Sequence, residues 1–274
     1  MQFDETFPEQ LKKLQSDEIV SNKEEIILEL ARLLENAVDI NTDKEVGIAF
    51  SGGVDSTLIA YLCQKLGKKF TLYSVGFEDS KDMQAAKNTA MKMNWPLKTK
   101  IIKLEDCEEI FKEVMRITGK TDPISIGVGA VTYSVLQMME EDRLLTGLGS
   151  EELFAGYERH KGNINEECWK GLLDIYERDL KRDLSLAKDV GKEIKFPFLD
   201  KKLIDYAMKI DGNLKVGEFR KQILRETAIQ LGLAKEFAFR KKCAAQYGSK
   251  FDFALEKLSK KTGLKKSAYL KKGL

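Results

Sequence analysis

Ser51-Gly52-Gly53-Val54-Asp55-Ser56 sets two hydroxyls, two glycines and one carboxylate directly after the apolar run Val46-Gly47-Ile48-Ala49-Phe50, and it opens a helical segment from Asp55 to Leu66. Strand, glycine turn and helix, in that order, present backbone N–H groups to an anion. Gly52 and Gly53 have no Cβ, so the chain there can come close to a phosphate or turn at positive φ. A carboxylate at Asp55 would repel phosphate, and a Mg²⁺ ion bridging Asp55 to phosphate oxygens removes that conflict. The run lacks the spacing and the lysine of a Walker loop. The competing reading is an ordinary serine-glycine turn.

A second dense stretch is Thr146-Gly147-Leu148-Gly149-Ser150-Glu151-Glu152-Leu153-Phe154-Ala155-Gly156-Tyr157. A glycine turn after a short strand, followed by two carboxylates, could complete a Mg²⁺ site with Asp55. Glu151 and Glu152 are adjacent and point in different directions, so one of them faces the phosphates. The alternative is an acidic helix start favoured by the helix dipole.

The elements that must position these residues alternate. Residues 8–38 read as an amphipathic helix, with a break near Ser21-Asn22, and Ile26, Ile27, Leu30, Leu33 and Leu34 recur at helical spacing. Strands are expected at 46–50, Phe70–Phe77, Lys98–Leu104 and Arg143–Thr146, with helices over Lys81–Met93, Asp106–Thr118 and Ile124–Glu140 between them. Such alternation implies an α/β fold, a parallel sheet covered on both faces. Ligands of such sheets bind beyond the carboxyl ends of the strands at a switch point. Beyond residue 157 the pattern is helical over about 165–190, 199–210, 216–231 and 251–270. This predicts an N-terminal helical segment (1–44), then a domain from 45 to 274 whose part from about 158 is helical.

Composition excludes some classes. The chain has 274 residues, 43% hydrophobic and 33% charged, with a net charge of +2 that does not argue for nucleic acid. No apolar run approaches the roughly 20 residues that span a bilayer, and Met1–Gln15 is polar and acidic rather than signal-like. The expectation is a cytoplasmic protein. Its cysteines, Cys63, Cys107, Cys168 and Cys243, form no Cys-x-x-Cys, and His160 is the one histidine, which argues against structural zinc or an iron–sulfur cluster. The C-terminal lysines Lys257, Lys260, Lys261, Lys265, Lys266, Lys271 and Lys272 form either a solvated face or a weak RNA or phosphate patch.

The first motif resembles the pyrophosphate (PP) loop of ATP pyrophosphatases. Together with Gly147–Tyr157, Lys195-Phe196-Pro197-Phe198-Leu199-Asp200 and Lys221-Gln222-Ile223-Leu224-Arg225, it resembles the synthetase domain of asparagine synthetases over roughly residues 45–250. Arg159-His160 and Ala245-Gln246-Tyr247-Gly248-Ser249 are similar to the branch represented by asparagine synthetase domain-containing protein 1. The resemblance implies an adenine nucleotide alpha hydrolase-like fold with a five-stranded-type sheet. It implies activation of a small-molecule carboxylate by ATP as an acyl-adenylate, with release of pyrophosphate, and attack by ammonia or another amine.

By the same resemblance, Ser51, Gly52, Gly53, Ser56 and Gly149 would bind the ATP phosphates, with Asp55 and Glu151 on Mg²⁺. Glu151 stands where the family commonly has Asp. Val75 and Gly76 match the contacts to adenosine, and Lys242 matches the catalytic lysine, able to stabilise pentacovalent phosphorus and tetrahedral carbon. From the residues alone, Lys242 could equally be solvent-facing, with Lys241 pointing inward. Lys221 is a second catalytic candidate; Lys221 and Arg225 either support phosphates or pair with acids on their own helix. Asp200 is either a helix N-cap or an orienter of Lys242. His160 is either a buried structural histidine or a base. Cys243 is either a packing residue or a thiol activated by its lysine neighbour.

Two departures qualify the resemblance. Gln2 replaces the nucleophilic cysteine that follows Met1 in glutamine-dependent relatives, and the segment before residue 46 is too short for their glutaminase domain. The amine is then free ammonia, another small amine, or ammonia from a separate glutaminase subunit. Leu148 stands where asparagine synthetases carry a proton-handling Glu, and leucine has no proton to give or take. The rival functions are a PP-loop adenylase acting on tRNA and a non-catalytic ATP-binding subunit. An oligomer is compatible with all three.

Overall fold

Val46–Ala49 forms strand β1, buried along nearly its whole length as a central parallel strand must be. The structure, a computed structural model, describes residues 1–158, 160, 162–241 and 244–272. In it β1 joins β2 (Phe70–Gly76), β3 (Leu97–Ile101), β4 (Arg143–Leu145) and β5 (Glu193–Lys195) in one sheet of order β3-β2-β1-β4-β5. Every pairing is parallel; Val46 lies opposite Phe70, and Ile48 opposite Leu145. The chain steps outward from β1 to β3, then returns to lay β4 on the other side of β1. The switch point is therefore the gap between β1 and β4, where the loops after both strands open together.

Helices α1 (Phe7–Lys12) and α2 (Lys23–Asp39) precede the sheet; α3 (Val54–Lys65) and α4 (Lys81–Met93) follow β1 and β2; α5 (Leu104–Thr118) and α6 (Pro123–Met138) lead into β4. Between β4 and β5 come α7 (Ser150–Leu153), α8 (Ile164–Ile175), a π turn (Tyr176–Leu180) and α9 (Lys181–Val190). After β5 a 3-10 turn (Pro197–Leu199) leads to α10 (Lys201–Lys209), α11 (Gly212–Lys215), α12 (Gln222–Gln230), α13 (Lys235–Ala238), α14 (Ala245–Gly248), α15 (Phe251–Lys261) and α16 (Lys266–Lys271). Capping explains several starts. Asp122 accepts the Ser125 N–H at 2.8 Å, with Pro123 in the first helical position of α6. Asp200 accepts the N–H groups of Lys202 and Leu203 at 3.0 and 3.1 Å, which is the capping alternative for that residue. No helix among the described residues is long and apolar enough to cross a membrane.

Where periodicity misled, a specific contact or backbone turn is the cause. The helix expected over 8–38 is two helices, because Val20 leaves the helical path and bridges to Ile210, its N–H donating to Lys209 O at 2.9 Å. β5 falls between two expected helices, where no strand was expected; only Ile194 of its three residues is buried and apolar, so no alternation exists to detect. The helix expected over 216–231 starts at Gln222, since Val216 pairs with Arg220 and Lys221 turns left-handed at φ 59°. The helix expected over 165–190 is α8, the π turn and α9 run together.

Lys215, at the end of α11, is fully buried and its ammonium has no hydrogen-bond partner. Burial brings its pKa down from the ordinary lysine value to about 8, against the opposing pull of Cys168 and Asp211. Above that pH the folded amine is neutral while the unfolded one still carries its proton, so stability rises with pH from about 8 towards the unfolded lysine value near 10.4. Lys215→Met is expected to stabilise the protein by up to about 3 kcal/mol at pH 7 and by much less at pH 10. Urea unfolding at the two pH values checks this, and an equal gain at both would mean that charge burial is not the cost.

Candidate functional site

The loop after β1 turns at Gly52, φ 66°, and Gly53 caps α3 with extended backbone, so that Asp55 falls in the first turn of the helix. Gly52 admits no side chain: a Cβ there would stand 3.0 Å from the Ala85 backbone of α4. The loop is tied to itself through its hydroxyls. Gly53 N–H donates to Ser51 Oγ at 3.3 Å, and Ser51 N–H to Ser56 Oγ at 3.4 Å. Its carbonyls are held from outside by Arg240, whose Nε donates to Gly52 O at 2.6 Å and whose second terminal nitrogen donates to Ser51 O at 2.8 Å.

The loop after β4 faces it. Gly147 approaches so closely that a Cβ would lie 2.8 Å from Asp55 Cβ, and Gly149 turns at φ 98° against Leu199. α7 then presents Ser150, Glu151 and Glu152. The third segment is the left-handed turn before α12, which sends the Lys221 side chain inward; the residue is 3% exposed.

Lys221 Nζ is where the three segments meet. It lies 2.8 Å from both carboxylate oxygens of Asp55, 2.9 Å from Ser150 Oγ and 2.8 Å from Glu151 Oε1. Asp55 is 4% exposed and Ser150 fully buried, so the ammonium neutralises carboxylate charge out of reach of bulk water. Glu152 turns the other way, to Arg178, as adjacent residues in a helical turn must. The close packing continues at Gly156, where a Cβ would come within 1.6 Å of Glu151 Oε2 and 2.5 Å of Lys221 Cε.

The other expected residues fall as follows. Val75 and Gly76 end β2 beside the segment Ala245–Ser249; Phe77 N–H donates to Ser249 O at 3.1 Å, and a Cβ on Gly76 would be 3.0 Å from that same oxygen. Arg225 makes its hydrogen bonds to main-chain carbonyls, those of Arg220 at 2.7 Å, Ala238 at 2.5 Å and Arg240 at 3.3 Å, and so fixes the turn carrying Lys221 and the segment carrying Arg240. Burial lowers the Arg225 pKa, and Asp55 and Glu151 oppose that. His160 is 1% exposed, its ring edge-on to Tyr157, as a structural histidine would be. Leu148 is half-buried and packs on the core. Lys242 and Cys243 lie outside the described residues. Ser150, Arg240 and the carbonyl-binding role of Arg225 escaped the sequence reading. Arg240 begins a basic run, and nothing in the run's spacing separates it from its neighbours.

The two carboxylates and the hydroxyl are hard oxygen donors of the kind a divalent ion held jointly with phosphate would take, and the Lys221 ammonium would balance the phosphate charge. Mg²⁺ keeps several water or phosphate oxygens and is commonly bound through one or two carboxylates. No group of three or more His, Cys, Asp or Glu residues able to hold a metal occurs among the described residues.

Comparison with known proteins identifies the class. The sequence model of the asparagine synthase family matches residues 29–170 and 160–272. The chain is 34% identical to the putative asparagine synthetase [glutamine-hydrolyzing] 1 of Methanocaldococcus jannaschii, over 86% of this chain and 52% of that protein. It is 38% identical to mouse asparagine synthetase domain-containing protein 1, over 44% of this chain and 22% of that one. Among solved structures it is similar to the U34-tRNA thiolase NcsA of Methanococcus maripaludis, with a TM-score of 0.42 and 16% identity over 92% of this chain and 78% of that one. The chain belongs to the asparagine synthase family. It spans about half the length of the Methanocaldococcus relative, and less of the mouse one.

Lys221→Met removes from the buried cluster an ammonium that contacts Asp55, Ser150 and Glu151, and is expected to cost about 3 kcal/mol in urea unfolding. Glu151, whose side chain is 24% exposed, can turn to water, so Glu151→Gln should cost under about 1 kcal/mol. Equal losses would show that the ammonium is not the centre of the cluster.

Proposed function

We propose that the chain is an ATP-dependent ligase of the asparagine synthetase type, which activates a carboxylate as its acyl-adenylate with release of pyrophosphate, for attack by ammonia or another amine. The observation that carries this reading is the convergence of Asp55, Ser150, Glu151 and Lys221 within 2.9 Å contacts beyond the carboxyl ends of β1 and β4, in a member of the asparagine synthase family.

In this reading Asp55 and Glu151 hold Mg²⁺, which neutralises charge on the departing pyrophosphate. Arg240 occupies the carbonyls of Ser51 and Gly52, and Ser51, Gly52, Gly53, Ser56 and Gly149 bind the phosphates, the Gly53 and Ser51 N–H groups exchanging their bonds to Ser51 Oγ and Ser56 Oγ for phosphate oxygens. Lys221 keeps the two carboxylates converged before substrate arrives, so little reorganisation remains for the reaction. Val75 and Gly76 border the adenosine. Lys242 supplies the cation beside the reacting phosphorus and carbon. The carboxylate oxygen bonds to the α-phosphorus as pyrophosphate leaves; the amine nitrogen then bonds to the acyl carbon, and AMP leaves as the nitrogen gives up its proton. Leu148 takes no part in that proton transfer. The proton goes to another acceptor. The amine is free ammonia, another small amine, or ammonia from a separate glutaminase subunit.

The test is pyrophosphate release from ATP and Mg²⁺ with aspartate, other small carboxylates, ammonium and bulk tRNA. Release that requires a small carboxylate, and falls at least about a hundredfold in Lys242→Ala and Lys221→Met, is the expected result. Release that requires tRNA would replace this reading with a nucleic-acid adenylase. ATP binding without turnover across the panel would replace it with a nucleotide-binding subunit.

A further inference from the structure

Glu152 is fully buried next to the proposed Mg²⁺ carboxylate, yet it faces away from the Lys221 centre. Its Oε1 takes an Arg178 nitrogen at 2.5 Å, and its Oε2 has no hydrogen-bond partner. Arg178 in turn donates from Nε to Asp179 Oδ2 at 2.6 Å. Asp179 Oδ1 accepts from Arg182 at 3.0 Å, and Arg182 Nε donates to Asp183 Oδ1 at 2.8 Å. The result is a row of alternating charge, Glu152, Arg178, Asp179, Arg182 and Asp183, that runs from the site turn into the interior. Arg182 and Asp183 are 2% and 4% exposed, and α9 packs on α6 there: a Cβ on Gly129 would lie 3.3 Å from Arg182 Cδ.

The backbone is altered where the row crosses it. Ile164–Val190 would be one α-helix but for the π turn at Tyr176–Leu180, in which Lys181 N–H donates to Tyr176 O five residues back. One extra residue in a helical turn redirects the side chains that follow, and such turns recur at functional sites. Here the redirected residues are Arg178 and Asp179. On the α7 side, Ala155 is left-handed at φ 54° although it has a Cβ, and Gly156 N–H donates to Glu151 O at 2.8 Å. The turn carrying Glu151 is thus strained on one side and pinned through Glu152 on the other. A four-residue helix has little stability of its own, so the direction of Glu151 must be fixed from outside α7.

We infer that Arg178 is a positioning residue: through its ion pair with buried Glu152 it fixes the rotation of α7 that turns Glu151 towards Lys221 and Asp55. This rests on the reading of Asp55 and Glu151 as the metal carboxylates. The row itself is structural; what Arg178 adds is the direction of one neighbouring side chain.

The experiment measures Mn²⁺ binding by electron paramagnetic resonance, with ATP present, on the whole chain, alongside pyrophosphate release. In Arg178→Met, Mn²⁺ affinity is expected to fall about tenfold, and a crystal structure should show Glu151 released from Lys221. Glu152→Gln should lose a similar amount, and the double variant no more than either alone, since both act through one pair. Arg178→Lys, which keeps the charge but not the fork that spans Glu152 and Asp179, should recover part of the lost affinity and serves should Arg178→Met not fold. Folded variants that melt lower but bind Mn²⁺ as the wild type does, with Glu151 still on Lys221, would overturn the inference. So would additive losses. A wild type that binds Mn²⁺ but releases no pyrophosphate would count against the ligase reading alone, because the metal and crystallographic readouts need no turnover. A wild type that binds no Mn²⁺ would remove the metal reading and, with it, this one.

Discussion

The ammonium of Lys221 carries a charge out of water, and only the carboxylates of Asp55 and Glu151 make that tolerable. Ionised groups in a low-dielectric interior cost several kcal/mol each unless they are paired and hydrogen-bonded. All three contacts fall within 2.9 Å, and the Ser150 hydroxyl supplies the third direction that a tetrahedral ammonium needs. The partners come from three places in the chain, the loops after β1 and β4 and the turn before α12. The pairing therefore holds the helical C-terminal part to the sheet at the sheet's switch point. The same arrangement that makes the charges tolerable gathers the oxygen donors a nucleotide-bound cation would use.

Local strain is concentrated around that centre. Four described non-glycine residues have left-handed backbones, Asn94, Ala155, Lys221 and Lys250. Asn94 and Lys250 sit at helix ends, Asn94 being a residue that tolerates that conformation. Lys221 likewise caps a helix start, but it and Ala155 are residue types that disfavour that conformation, and each costs of order 1 kcal/mol or more. At Lys221 the strained turn is what aims the side chain inward; at Ala155 it brings Gly156 under Glu151 with no room for a Cβ. Packing supports both turns. Arg225 holds the carbonyls on either side of the Lys221 turn and its neighbouring segment, and Phe219 and Phe239 flank its guanidinium.

The arginines divide the work by what they bind. Arg240 and Arg225 take backbone carbonyls and so shape loops, whereas Arg178 and Arg182 take carboxylates. Guanidinium suits both because its donors form a rigid planar fork that weak hydration lets into the interior. Lysine at the centre is a compact point charge, and it can touch three oxygens from three segments at once. This difference explains why the loop clamps are arginines and the junction is a lysine.

Much of this was legible in the sequence. The buried run before Ser51, the glycine turn and the two helical signals after β1 and β4 made a parallel sheet and a site at its carboxyl edge the natural reading, because strand alternation and glycine turns are local properties. The diverging directions of Glu151 and Glu152 follow from adjacency alone. What local pattern could not carry was any feature whose cause lies far along the chain. β5 exists because Ile194 docks beside Leu144, the break after α1 because Val20 bridges Ile210, and the late start of α12 because Lys221 is drawn 166 positions back to Asp55. The role of Arg240 was hidden for the same reason, since its partners are the carbonyls of Ser51 and Gly52. Sequence alone determined which groups are chemically able to act. The tertiary structure decided which of them meet, because a buried charge is stable only where distant segments bring its partner.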